Sequence, residues 1–137
     1  RCMTTEVQVR DAIVAYLNPA WALTYPTVKL FYENAVKVDL DAVGSSFLRV
    51  MIEFTDSVRQ GIDLAPYTAS YGEVILQLFS KEGQGTRDAL VKLNYLRELL
   101  KYQRLTGVDL DCPRFGRKQS RNGWTSQDLI VPFYFFQ

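Results

Sequence analysis

Two Asp-x-Asp pairs, Asp39/Asp41 and Asp109/Asp111, sit inside a Val-Asp-Leu-Asp string that occurs twice. In an extended segment, carboxylates two residues apart point to the same side and can share Mg²⁺ or Ca²⁺. Both pairs stand among turn residues, where aspartate serves solubility and bonds to nearby backbone, so a solvated role is adopted and no metal is expected. Gly83-x-Gly85-Thr86 has the flexible backbone of an anion cradle ahead of a helix. Arg87 follows Thr86 where a Walker sequence needs its Lys-Ser/Thr pair, so a capped helix start is expected and no nucleotide cofactor. Cys112 would be a nucleophile only with a group to lower its pKa, and a packed thiol is expected instead. Glu33, Glu53 and Glu73 fall on predicted strands, where they suit an acid/base pair or an exposed sheet face and stay unassigned. Arg114, Arg117, Lys118 and Arg121 crowd a segment flanked by Phe115 and Trp124. Interleaved cations and rings grip phosphates and stack on bases, whereas a basic loop more often is solvated or meets another protein.

Composition narrows these options. The chain holds no histidine, so Ser-His-Asp, Cys-His and His-bearing zinc sites cannot be assembled from it. Sixteen basic residues against fifteen acidic give a net charge of +1, which supplies no global attraction to nucleic acid or an anionic membrane. Two cysteines suit a reducing compartment. Arg1-Cys2 ahead of Met3 reads as two leftover residues before a native start. No apolar run approaches the roughly 20 residues of a membrane span, and no secretory signal is expected at the start. A length of 137 residues fits one domain, 1–137.

The elements that must position these side chains follow from spacing. Thr5 and Gln8 fit a capping box, and Val9, Ala12, Ile13, Tyr16 and Leu17 recur at helical spacing until Asn18-Pro19, which predicts a helix over 5–17. A first strand is predicted over 27–34, around Val28, Leu30 and Tyr32. Leu48, Val50, Ile52 and Phe54 alternate with Arg49, Met51, Glu53 and Thr55 in the clearest strand of the sequence. Val74, Leu76 and Leu78 make the apolar face of the next, and residues 56–70 between them read as an extended arm. A second helix is predicted from Ala89, with Leu90, Val91, Leu93, Leu96, Leu99 and Leu100 as its apolar set. A short strand follows at 108–111, then a polar, basic loop over 113–123. The run Leu129-Ile-Val-Pro-Phe-Tyr-Phe-Phe136 is too apolar for a free tail and reads as a strand, with Pro132 placing it at a sheet edge or beside a bulge. The order α-β-β-β-α-β-β describes an α+β domain whose mixed or antiparallel sheet packs one face on two helices.

With that order, several motifs resemble the tail terminator-like proteins of long-tailed bacteriophages, the group of the phage lambda tail terminator. They are Phe31-Tyr-Glu-Asn34, Phe47-Leu-Arg-Val-Met-Ile-Glu53, Gly72-Glu-Val-Ile-Leu-Gln-Leu-Phe79, the Gly83-Gln-Gly-Thr86 turn opening a long helix, and a tryptophan-led final strand over 124–136. The resemblance covers nearly the whole chain. It implies a structural, non-enzymatic virion protein: a homo-oligomeric, usually hexameric ring that caps the head-proximal end of the tail tube, stops its polymerisation and presents the head-joining surface. The partners it implies are the tail-tube protein and a head-completion or connector protein, with DNA passing through the lumen and assembly in the bacterial host cytoplasm. Under it, Arg59 and Tyr67 in the arm are expected at a subunit or tube interface, and Arg114, Arg117, Lys118 and Arg121 at the lumen or tube. The alternative is a small nucleic-acid-binding accessory protein using 114–121 as its contact.

Overall fold

The structure, a computed structural model, describes residues 5–26, 28–32, 47–60, 67–81, 87–121 and 123–136. Helix α1 (Glu6–Thr24) starts as the sequence predicts. Thr5 and Gln8 exchange a reciprocal cap, Thr5 N donating to Gln8 Oε1 at 2.9 Å and Gln8 N to Thr5 Oγ1 at 3.3 Å. It does not stop at Asn18, as expected, but runs through Pro19 for five more residues. The reason is tertiary: Val9, Ile13, Leu17 and Trp21 lie four apart on one buried stripe, and the Trp21 indole N–H donates to the Val28 carbonyl at 3.0 Å. Burying that ring outweighs the hydrogen bond that proline removes.

Strand β1 (Lys29–Tyr32) lies parallel to the start of β2 (Phe47–Gln60), which pairs antiparallel with β3 (Tyr67–Lys81) from Phe47↔Phe79 to Gln60↔Tyr67. The arm expected over 56–70 is therefore mostly strand. A bulge at Thr55 lets β2 continue past Phe54, and the register closes at Arg59↔Thr68 and Gln60↔Tyr67. Helix α2 (Arg87–Leu100) buries Leu93, Leu96 and Leu100. Leu90 and Val91, expected in its apolar set, are 42% and 44% exposed because they lie off the face that Ala89, Leu93, Leu96 and Leu100 turn to the core. The start of the predicted cap, 83–86, lies outside the described residues, as do Glu33, Asp39 and Asp41. Strands β4 (Arg104–Leu105) and β5 (Val108–Leu110) form a small hairpin.

Residues 114–121, expected as a loop, form strand β6 (Arg114–Arg121), paired antiparallel with β7 (Trp124–Phe136). Nor is β7 an edge strand. It lies between β3 on one side and β6 and then β5 on the other, in the order β1-β2-β3-β7-β5-β4. Pro132 is accommodated at the junction, after β6 ends at Ile130↔Arg114 and before β5 begins at Phe133↔Leu110. Its carbonyl accepts from Asp111 N at 2.8 Å on that side, so the side where its N–H is missing is the gap between two partners.

Both helices cover one sheet face, the fold class the sequence predicts. Leu48, Val50, Ile52, Val74, Leu76, Leu78, Leu129, Val131 and Phe133 meet α1 and α2 there. The helices clasp each other through Tyr16 Oη donating to the Leu99 carbonyl at 2.9 Å and Tyr95 Oη donating to the Ala20 carbonyl at 3.2 Å. Among the described residues, no helix is long and apolar enough to cross a membrane.

Candidate functional site

Strand alternation decides what the sheet shows on the side away from the helices. Arg49, Met51 and Glu53 of β2, Glu73, Ile75 and Gln77 of β3, and Asp128, Ile130 and Pro132 of β7 share that face. At one end of it a second aromatic cluster forms apart from the main core. Phe47 stacks on Phe79 at 4.7 Å between ring centroids, meets Trp124 edge-on at 5.6 Å, and meets Phe31 edge-on at 5.8 Å. Lys81 Nζ lies 5.9 Å from the Trp124 ring, which completes a buried, cation-flanked corner.

The basic segment does not form one patch. Arg114 donates to Glu73 Oε2 at 2.8 Å, and Arg117 draws the Asp128 carboxyl toward its charged form. Burial is the larger influence on Asp128 and holds its pKa above the ordinary 3.8, against the opposing pull of Gln77 and Arg117. A bulge between Phe115 and Lys118 reverses the alternation, so Lys118 pairs with Gln127 and belongs to the helix-side face. Phe115 also turns to the helix side, where Arg97 lies 5.7 Å from its ring. Cations and rings interleaved in sequence are thus divided between two faces, and two of the cations already have carboxylate neighbours. Arg121 ends the strand opposite Trp124 in register.

The other candidates separate as well. Glu53 and Glu73 are directly opposed across β2 and β3, and with Arg114 bonded to Glu73, Glu53 is left exposed without an ion-pair partner among the described residues. Asp109 stands opposite Tyr134 in register, and its charge is the chief influence raising the pKa of the Tyr134 phenol. Asp111 turns to its own backbone instead, Oδ1 accepting from Cys112 N at 2.7 Å, the local bonding expected of a turn aspartate. Among the described residues, no three Asp, Glu or Cys side chains converge as metal ligands. Cys112 is exposed rather than packed, a correction to the sequence reading, because it stands in the turn between β5 and β6 rather than on either strand.

Comparison with known proteins follows the fold. The chain matches, with a TM-score of 0.72, a solved structure that bears no functional name; the match covers 98% of this chain and 96% of the other at 13% sequence identity. That likeness concerns the arrangement of helices and strands. No family model matches the chain, and no curated protein matches it.

The margins of the sheet hold what the sequence reading missed. β1 covers β2 only from Phe47 to Val50, so among the described residues the outer edge of β2 is open over residues 51–60. At the other margin, β6 pairs among the described residues with β7 alone, and its outer edge has no neighbour among them either. The two last pairs of the β2–β3 ribbon lie beyond Ala69↔Phe136, where the pairing of β3 with β7 ends. Arg59 and Tyr67 stand in those two pairs. The sequence carries no signal for the open edge, since the first strand predicted over 27–34 is as long as the alternation over 48–55.

Proposed function

We propose that the chain is a structural assembly protein of the phage tail terminator kind. Its copies close into a ring, by the resemblance a hexamer, that caps the tail tube and offers a surface for the head, and no reaction is catalysed. The observation that carries this reading is the β2–β3 ribbon, which continues past the end of β7 and holds Arg59 and Tyr67 in its two outermost pairs. A paired ribbon reaches a neighbour without unfolding the core, and non-equivalent open edges on opposite margins are what head-to-tail contacts use. The near-zero net charge favours dense packing of like subunits.

The test is the solution mass of the purified protein over a concentration series, with negative-stain images, alone and with tail-tube protein. A closed ring of about six subunits supports the reading. Arg59→Ala and Tyr67→Ala should each weaken assembly while circular dichroism stays unchanged, and loss of folding instead would contradict the interface role. A monomer that ignores tube protein but binds DNA with steep salt dependence would support the nucleic-acid alternative through 114–121.

A further inference from the structure

We propose that copies of this chain join edge to edge, the open edge of β2 on one copy receiving β6 of the next as an antiparallel neighbour. This rests on the self-assembling reading above and names its contact.

The lengths agree first. Among the described residues, neither residues 51–60 of β2 nor the eight residues of β6 have a neighbour on their outer edge. An unpaired strand edge presents a row of N–H and C=O groups, so the backbone supplies most of the affinity and the side chains decide which edge fits. Direction follows from the sheet itself. β2 and β7 are each antiparallel to β3 and so run the same way, while β6 runs against β7; a sheet continued from one copy into the next therefore sets β6 antiparallel to β2.

Charge selects this pairing over the alternatives. Residues 51–60 contain two acidic residues and one basic, Arg59 at the tip of the ribbon, whereas residues 114–121 contain four basic residues and no acidic one. Two β6 edges brought together would set cation against cation, and two β2 edges would set acid against acid. Only the unlike edges attract, which makes the contact heterologous and able to close a ring. Glu53 has the strongest reason to seek a partner. It is exposed, it faces Glu73 across the strand pair, and the arginine that compensates Glu73 leaves Glu53 unpaired among the described residues. A basic residue arriving on its open side would relieve that like-charge pair.

Crosslinking tests the contact directly. In a Cys2→Ser/Cys112→Ser background, one chain carries Glu53→Cys and a second carries Arg117→Cys or Gln119→Cys, the first inside the register shift of β6 and the second beyond it. Oxidising an equal mixture should give a disulfide-linked heterodimer with at least one of the two β6 positions, and neither chain alone should link efficiently. Independently, Glu53→Arg should weaken self-association by about tenfold at low salt, with Glu53→Gln between it and the wild type. If wild-type protein assembles but no heterodimer forms and Glu53→Arg assembles normally, the edge pairing is wrong while the ring stands. If the wild type stays monomeric both alone and with tube protein, the ring and the edge pairing fall together.

Discussion

Replacing Gly72 by alanine should destabilise the protein for a reason that can be separated from backbone strain. Gly72 stands in β3 opposite Phe54 of β2 and Phe133 of β7. A Cβ added there would fall on the Glu53 carbonyl oxygen and on Phe133 Cζ, and would lie 2.8 Å from Phe133 Cε1. The Phe133 residue is 2% exposed, with Phe54 edge-on at 5.7 Å and Phe135 at 6.2 Å between ring centroids, so turning its ring away would disturb packed neighbours. Overpacking of this kind costs about 1–3 kcal/mol, and a backbone oxygen as one of the struck atoms places Gly72→Ala near the upper end, at about 2–3 kcal/mol. For a domain of this size the melting temperature should fall by roughly 6–15 °C. Phe133→Leu alone should cost about 1–2 kcal/mol as a truncation. Combined with Gly72→Ala it should cost less than the sum of the two by about 1 kcal/mol, because the smaller side chain vacates part of the space the new methyl group needs. Urea unfolding of the four proteins measures all three quantities. A Gly72→Ala variant as stable as the wild type, or strict additivity in the double variant, would refute the close approach.

Pro19→Ala should stabilise the protein by about 1–3 kcal/mol, since it restores a helix N–H within α1; a lower melting temperature would refute the reading that Trp21 burial offsets a cost at Pro19. Asp128→Asn should raise the melting temperature at pH 7. Burial lifts the folded-state pKa of Asp128 above its ordinary 3.8, so the folded state favours the protonated acid, and the cost of the charge is fully present at pH values above the folded pKa. It disappears as pH falls below 3.8, and melting curves of both proteins across pH 3–8 should converge at the acid end; a constant offset would show that burial of the charge is not the cause.

The sequence made the core legible wherever the period was clean. Leu48, Val50 and Ile52 on β2 and Leu93, Leu96 and Leu100 on α2 are the residues that alternation and helical spacing select, and they are buried. Two prolines misled for one reason. Pro19 disfavours helix in Asn18 and Pro132 removes a ladder hydrogen bond, both local effects, but Trp21 burial carries α1 past the first, and a change of neighbour beside β7 accommodates the second. Residues 114–121 looked like a loop because Gly116, Arg117, Lys118 and Gln119 form no apolar face; their strand is imposed by β7, not by their own preferences. The candidate site was least legible. Arg114 was visible as one cation among four, but only pairing across three strands shows that its carboxylate is Glu73 and that Glu53 is consequently left over.

The position of β7 has a kinetic consequence. The strand synthesised after all its partners is the one inserted between them, and its pairing with β3 joins residues as far apart as Ala69 and Phe136. Until it arrives, β3 has an exposed edge and β5 and β6 have no sheet to join. Loop-closure entropy must be spent before any of those pairings is gained, which places folding on the slow side for a chain of this length. During that interval the nascent molecule offers β3 as an additional adhesive edge, one that the finished sheet conceals, so the edge-to-edge contact proposed above would be selective only after β7 is in place.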